Sequence, residues 1–391
     1  MRLLLSLLFT FIFHFSWSQT DWKPNNITFE EALNQSKTNQ KPIFLMLYAD
    51  WCPHCNTMKS NTFSDPKVME YLNEKFVCVW KNIESEEGKK LKEKFQTNGL
   101  PIFLYLDSNQ NVLYSVKGEM NTKQFITETS YALNPKLQLP FLKNQFLEDQ
   151  SNPEKCLLYL QILLKGNDRK SLSEPAHLYL KTQKDTELLT EINWRIISFG
   201  VSDIESTEFQ YVLNHKKEFE KLTSESRVDK KINNIVTELL DPYLSSLDSL
   251  NYFKSRKIAK SIQLPKIDSL IYTYDLTFAE RSKNWKFYKT VALENTDKYS
   301  SNDYNKLNEI TTVFYKEIGD TNALQQAIVW EKRALALNNS AETNTILAQL
   351  YFKTKDKKLA MEYAENAKNI ITEMGWNTKD INLLINKIKT Q

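Results

Sequence analysis

Apolar and polar positions follow two different patterns along this chain, first strands mixed with helices and then helices alone. Continuous apolar runs at 42–47 and 101–106 are typical of buried strands. Thr28 followed by Glu31 forms a capping box, which marks the start of a helix. For the region 20–135 the pattern predicts strands at 41–49, 76–80, 101–106 and 112–117, and helices at 28–36, 52–60, 67–75, 86–95 and 122–133.

Beyond about Pro135 the pattern predicts successive helices joined by short polar breaks. Pro135 and Pro140 indicate a linker at the start of this region. Proline favours the first turn of a helix, and glycine favours its end. The predicted helix starts are therefore Asn152-Pro153 and Ser173-Glu174-Pro175, the predicted ends are Gly166 and Gly200, and Leu264-Pro265 is a later break.

The C-terminal part carries a pattern of alanines that recurs. Ala327 and Ala334 are seven residues apart, and the same spacing recurs 33 positions later. A period of about 34 residues resembles that of tetratricopeptide repeats, which are pairs of helices. The resemblance implies two repeats over 302–370 and a capping helix at 380–388, whereas 150–300 shows no clean period.

Composition favours a mostly helical protein of two or three domains. The 391 residues leave room for more than one core. Glycine is scarce, at 7 residues, and charged residues make up 25% of the chain, which favours helices over an all-β structure. The 51 basic and 48 acidic residues give a net charge of +3, so a nucleic-acid partner has no electrostatic support.

The first residues have the pattern of an export signal. Arg2 precedes an apolar run at 3–15, and Ser16-Trp17-Ser18 supplies small residues where a signal peptidase cleaves. The alternative is a membrane anchor, but a membrane-spanning helix needs ~17–25 apolar residues. We therefore expect a cleaved signal at 1–18, no membrane span after cleavage, and a periplasmic or secreted protein.

Four cysteines are present, and only Cys52 and Cys55 form a motif. They follow a predicted strand and begin a predicted helix, where unpaired N–H groups and the helix dipole favour a thiolate. A C-x-x-C pair in this position indicates redox chemistry, with Cys52 as the exposed attacking thiol and Cys55 as the more buried resolving thiol. The alternatives are a purely structural disulfide or a zinc site, and zinc needs four ligands.

The other two cysteines lie in apolar surroundings. Cys78 and Cys156 are interpreted as buried core thiols, although a disulfide between them stays open as an alternative. Only four histidines accompany the cysteines, so we expect neither a metal nor another cofactor.

The order of the elements, with its hairpin and closing helix, resembles the thioredoxin family. Trp51 precedes the cysteine motif, Gly99-Leu100-Pro101 stands where that family has its cis-proline loop, and Gly118 lies on the last strand. The stretches 48–52 and 62–68 are similar to the C-terminal periplasmic domain of DsbD-type thiol:disulfide interchange proteins.

These features together predict an α/β thioredoxin fold followed by an all-α helical-repeat region of the tetratricopeptide type. The predicted domains are a signal peptide at 1–18, a thioredoxin-like domain at 19–135, a helical region at 136–300 and helical repeats at 301–391. We expect the repeats to bind a protein partner, because arrays of helix pairs present a concave surface.

The resemblance to thioredoxins also implies roles for residues near the cysteines. A cis Leu100–Pro101 bond would present the backbone of Leu100 to a substrate peptide, which would pair with it like a strand edge. Trp51, Pro53 and His54 are expected to tune the redox pair. The expected partners are protein thiols or disulfides and a redox partner protein.

Two positions leave the direction of the chemistry open. The Pro53-His54 pair also occurs in DsbA-type oxidases, whose reduction potential is about −120 mV against about −270 mV for thioredoxin. Met46 stands where thioredoxins carry a buried acid that exchanges a proton with the second cysteine, so water, Asp50 or another group would have to replace it. A second function also stays open: a helical-repeat binding or assembly protein with incidental redox chemistry.

Overall fold

The structure is a computed structural model that describes residues 27–166 and 170–390. The predicted signal peptide at 1–18 lies outside the described residues. The chain divides into two compact units, the first ending at Glu225 and the second beginning at Ser226. The domain boundaries at 135 and 300 differ from this division and stay predictions.

A four-stranded sheet forms the centre of the first unit. Its strands are β1 (Ile43–Tyr48), β2 (Val77–Asn82), β3 (Ile102–Leu106) and β4 (Val112–Lys117), in the order β2-β1-β3-β4. β1 runs parallel to β2 and antiparallel to β3, and β4 runs antiparallel to β3. Each strand lies where the apolar pattern predicts it, and the hairpin of β3 and β4 is confirmed.

Helices cover both faces of this sheet. They are α1 (Phe29–Asn39), α2 (Pro53–Thr57), α3 (Pro66–Lys75), α4 (Glu86–Lys94) and α5 (Thr122–Ala132). A turn of π-helix, Met58–Thr62, continues α2. The capping box of α1 is confirmed, because the Glu31 N–H donates to the Thr28 hydroxyl at 3.1 Å and the Thr28 N–H donates to the Glu31 carboxylate at 2.6 Å.

Alternating side chains of β1 belong to two apolar cores, one on each face of the sheet. Ile43 and Leu45 belong to the core that α1 and α4 cover. Phe44 and Met46 belong to the other core, which also contains Cys55 of α2 and side chains of α3 and α5. The cysteine motif therefore packs on the face of the sheet that α3 and α5 cover.

The remaining helices of the first unit follow the sheet. They are α6 (Leu139–Glu148), α7 (Pro153–Gly166), α8 (Lys170–Leu180), α9 (Glu191–Gly200), α10 (Thr207–Asn214) and α11 (Lys216–Leu222). Two predictions from proline were wrong. Pro140 lies in the first turn of α6 rather than in a linker, because no N–H is needed there. Pro175 lies inside α8 rather than at its start, because a helix can lose one N–H donor and still continue.

α7 packs against the edge strand β4. A Cβ on Gly166 would lie 1.9 Å from the Ser115 Oγ, so only glycine allows this approach. Lys165 Nζ donates to Glu128 Oε1 of α5 at 2.7 Å, and Ile162 belongs to the same core as Met46 and Cys55. The helices that follow residue 135 therefore enlarge the core beside the cysteine motif.

The second unit is helical. Its helices are α12 (Glu225–Ser246, with its first residue in the first unit), α13 (Ser249–Lys260), α14 (Pro265–Arg281), α15 (Trp285–Tyr299), α16 (Tyr304–Glu317), α17 (Thr321–Leu337), α18 (Ala341–Lys353), α19 (Lys357–Glu373) and α20 (Lys379–Thr390). Ala327 and Ala334 of α17, and Ala360 and Ala367 of α19, are buried in one core. Two helix pairs and a final helix lie where the repeat period predicts them, and their assignment as tetratricopeptide repeats stays a prediction.

Candidate redox site

Cys52 is the N-cap residue of α2, and Pro53 is the first residue of that helix. β1 ends at Tyr48, so the chain turns within a few residues from the sheet into the helix. The Cys55 N–H donates to Cys52 Sγ at 3.2 Å. The sulfur of Cys52 therefore occupies the position at which a helix N-terminus stabilises negative charge.

Both sulfurs of the motif are buried. The exposed fraction is 4% for Cys52 and 0% for Cys55, and both are free thiols in this structure. The prediction of an exposed Cys52 was wrong, because its side chain belongs to the same apolar core as Ala49 and Met58. Trp51 is the exposed residue here, at 64%, and it places an aromatic surface next to Cys52 in the chain.

Cys55 is held in its protonated form. Its pKa is raised to about 12, chiefly by burial and then by a hydrogen bond with the sulfur of Cys52. The backbone of Ala49 and the positive charge of Lys59 act in the opposite direction. At neutral pH Cys55 is therefore a thiol that must lose a proton before it can act as a nucleophile.

His54 is exposed and points to a partner that the sequence did not reveal. Its Nδ1 lies 2.8 Å from Glu119 Oε2. Glu119 follows β4 and is 65 positions away along the chain, and no local pattern marks it. This contact places a carboxylate beside the imidazole next to the cysteine motif.

Asp50 and Lys59 form a second ion pair beside the motif. Lys59 Nζ lies 3.3 Å from Asp50 Oδ1 and 3.8 Å from the centre of the Tyr48 ring. Asn82 of β2 donates to Asp50 Oδ2 at 2.9 Å. Met46 is fully buried, so the charged groups beside the motif come from the loop and the π-helical turn rather than from β1.

The Leu100–Pro101 peptide bond is cis, as the resemblance implies. Leu47, near the end of β1, pairs with Ile102, the first residue of β3. The loop of Leu100 and Pro101 therefore lies at the same end of the strands as the cysteine motif. Leu100 packs against the core that contains both cysteines, and the Gly118 N–H donates to the Pro101 carbonyl at 2.8 Å. The loop of Leu100 and Pro101 and the cysteine motif thus lie at the same end of the sheet. Substrate binding by Leu100 and Pro101 stays a prediction.

Cys78 and Cys156 are both buried free thiols. Burial raises the pKa of each to about 12, which makes both poor nucleophiles at neutral pH. Within the described ranges, no group of three or more histidine, cysteine or acidic side chains is arranged to hold a metal ion. In the same ranges, no helix has the length and apolarity that a membrane span requires.

Comparison with known proteins places the first part of the chain. Residues 21–108 match the family model described as thioredoxin-like. Together with the sheet order and the motif position, this match shows a thioredoxin-like domain near the N-terminus, followed by a mostly helical region.

Within this domain the chain is similar to thiol:disulfide interchange proteins. It is 38% identical over 89 residues to DsbD of Yersinia pestis, which is 22% of this chain and 15% of that protein. It is 34% identical over 108 residues to DsbD of Haemophilus influenzae, which is 27% of this chain and 18% of that protein. The chain thus spans less than a fifth of the length of these relatives.

Two solved structures are similar to this part of the chain. The oxidised C-terminal domain of Neisseria meningitidis DsbD has 23% identity and a TM-score of 0.23, covering 26% of this chain and 90% of that one. A thioredoxin from Thermus thermophilus has 23% identity and a TM-score of 0.25, covering 26% of this chain and 80% of that one.

Proposed function

We propose that this chain is an exported thiol-disulfide oxidoreductase that acts on protein disulfides or dithiols through Cys52 and Cys55. The observation that carries the proposal is the position of Cys52 Sγ at the N-cap of α2, where it accepts the Cys55 N–H at 3.2 Å. The similarity to proteins named thiol:disulfide interchange protein supports the same reaction class.

In the direction of reduction, the Cys52 thiolate attacks one sulfur of a substrate disulfide. A mixed disulfide forms, and the other substrate sulfur leaves as a thiolate that takes up a proton. The Cys55 thiolate then attacks Cys52 Sγ, the Cys52–substrate bond breaks, and the Cys52–Cys55 disulfide remains. Two electrons pass from the cysteine pair to the substrate, and the same steps in reverse oxidise a dithiol.

Access to Cys52 sets a requirement on the substrate. Because the residue Cys52 is only 4% exposed, a substrate disulfide has to enter beside exposed Trp51 and the loop of Leu100 and Pro101. An extended peptide that pairs with the backbone of Leu100 would place its sulfur at this position. Trp51, Pro53 and His54 tune the redox pair, and a redox partner protein returns the pair to its starting state.

The remaining parts of the proposal concern location and partners. The residues at 1–18 would direct export to the periplasm or the medium and be removed. The helices of the second unit, interpreted as tetratricopeptide-type repeats, would recruit a protein partner to the redox domain. Mass measurement of the mature N-terminus tests the first point.

Cys52→Ser tests the reaction itself. We expect the variant to lose both insulin reduction and dithiol oxidation and to keep its thermal transition, because a serine hydroxyl at this N-cap can accept the same Cys55 N–H. Cys78→Ser is the matched control, since its thiol is buried on the same face of the sheet and takes no part in the reaction. Unchanged activity of the Cys52 variant would end the proposal.

A second candidate is a binding or assembly protein whose thioredoxin-like domain serves for docking. The fully buried Met46 favours it, because β1 offers no acid to exchange a proton with Cys55. A double variant, Cys52→Ser with Cys55→Ser, separates the two candidates. Full capture of partner proteins together with a normal cellular phenotype would favour the binding protein over the enzyme.

A further inference from the structure

Lys59 is a mostly buried charged residue that continues the motif helix. It lies in the π-helical turn Met58–Thr62, four positions after Cys55. Side chains four positions apart on a helix lie on the same face. Its side chain is only 15% exposed, although a lysine usually extends its ammonium group into water.

The contacts of Lys59 hold its ammonium group in one place. The group lies 3.8 Å from the centre of the Tyr48 ring and 3.3 Å from Asp50 Oδ1. Asp50 is itself held by the amide of Asn82, at 2.9 Å. A cation over an aromatic ring and next to a carboxylate recovers part of the hydration that it loses. The positive charge is therefore fixed beside the motif helix.

A positive charge beside the motif helix bears on the ionisation of Cys55. Its thiol is fully buried, and it has to become a thiolate before it can attack the mixed disulfide at Cys52. Met46, on the strand below, supplies neither a charge nor a proton acceptor. Burial and the neighbouring sulfur of Cys52 raise the pKa of Cys55, the Ala49 backbone lowers it, and the charge of Lys59 lowers it by a smaller amount.

We propose that Lys59 is a positioning residue whose fixed positive charge favours the Cys55 thiolate and so speeds the resolution of the mixed disulfide. This inference rests on the proposed function. In the step concerned, Cys55 loses its proton, its sulfur bonds to Cys52 Sγ, and the bond between Cys52 and the substrate sulfur breaks. The substrate sulfur leaves with the electron pair and takes up a proton, so the step is balanced.

The test uses the reduced protein and dithiobis(nitrobenzoate), a small disulfide that releases the coloured thiolate thionitrobenzoate. Attack by Cys52 releases one thionitrobenzoate and leaves the other bound to Cys52. Attack by Cys55 then releases the second. Stopped-flow mixing separates the two phases, and their rates are measured between about pH 6 and pH 9.

Lys59→Met removes the charge and keeps an unbranched side chain, and Lys59→Arg keeps the charge. We expect Lys59→Met to slow the second phase about threefold at pH 7 and to move its pH profile upward by about half a unit, equivalent to about 0.7 kcal/mol, because the Asp50 carboxylate offsets part of the charge. The first phase should change less than about twofold, and Lys59→Arg should restore the second phase. Lys90→Met is the matched control, because Lys90 is exposed and pairs with Glu86 on the other face of the sheet.

Three results would overturn the inference. An unchanged second phase in Lys59→Met shows that the charge does not act on Cys55. An equal loss in Lys59→Arg shows that the side chain has only a packing role. Absence of the first phase in the native protein refutes the proposed function together with the inference, whereas a normal first phase confines the failure to Lys59. Should Lys59→Met not fold, Lys59→Gln carries the same comparison.

Discussion

The buried carboxyl of Glu331 makes the stability of the second unit depend on pH. Glu331 lies on α17, is fully buried, and accepts a hydrogen bond from the Thr311 hydroxyl. Within the part of the chain that the structure describes, no lysine or arginine forms an ion pair with it. Burial raises the pKa of Glu331 from 4.5 to about 8, the hydrogen bond from Thr311 opposes this rise, and the charge of Glu342 adds to it.

The pKa of Glu331 is higher in the folded state than in the unfolded state. Because the folded pKa lies above the unfolded pKa, stability is fully present below about pH 4.5 and is lost as the pH rises towards about 8. At about 1.36 kcal/mol per pH unit, Glu331 lowers the free energy of unfolding by about 3 kcal/mol at pH 7 relative to pH 4.5. Glu331→Gln keeps the shape of the side chain and cannot ionise, so the variant should be more stable at neutral pH.

The assay must report the second unit by itself. The full chain is equilibrated in urea at each pH and labelled by a short pulse of hydrogen exchange, and peptides from residues 321–337 are followed by mass spectrometry. The stability gain of Glu331→Gln should grow between about pH 5 and pH 8 and level off above that range. Glu362→Gln, at an exposed site on α19, is the control. A gain that does not vary with pH would refute the reasoning.

Two further predictions concern the first unit. Gly166→Ala should destabilise this unit by about 1–3 kcal/mol in urea unfolding, because the added Cβ meets the Ser115 Oγ at 1.9 Å. The control is Gly319→Ala, whose added Cβ meets no atom within 4 Å. Equal effects of the two substitutions would contradict the packing of α7 on β4. Glu119→Gln should shift the reduction potential of the cysteine pair by about 4–20 mV, since an exposed ion pair contributes about 0.2–1 kcal/mol and about 30 mV corresponds to 1.4 kcal/mol. A shift above about 100 mV in a glutathione titration would show that the His54–Glu119 pair, rather than the wider site, sets the potential.

The features that the sequence predicts well are those written in neighbouring residues. The apolar run of β1, the hairpin of β3 and β4, and the capping box at Thr28 each depend on residues within a few positions of one another, and the structure has all three. The starts and ends of helices at Pro153, Gly166 and Gly200 are local in the same sense. Pro140 and Pro175 were misjudged because a proline shows only that one N–H is absent, and either the first turn or the interior of a helix can accommodate that loss.

The features that the sequence does not reveal depend on contacts between distant segments. Glu119 reaches His54 across 65 positions, and the amide of Asn82 reaches Asp50 across 32 positions. The burial of Cys52 has the same origin, since its exposure depends on the packing of the whole core and not on its place at a helix start. A motif thus predicts which residues react, whereas their protonation and accessibility depend on the surrounding fold.

The direction of the redox reaction depends both on local residues of the motif and on contacts between distant segments. The Pro53-His54 pair is a local feature, and it favours an oxidising disulfide, but the His54–Glu119 pair is exposed and worth at most about 20 mV. The difference between DsbA-type and thioredoxin-type potentials is about 150 mV, so this contact cannot bridge it. We attribute the larger contributions to buried groups, namely the desolvated sulfur of Cys55 and the fixed charge of Lys59. A positive charge that favours a thiolate stabilises the reduced state of the cysteine pair and so raises its reduction potential. If the charge of Lys59 affects the potential more than the burial of Cys55 does, the potential should lie nearer to about −120 mV than to about −270 mV.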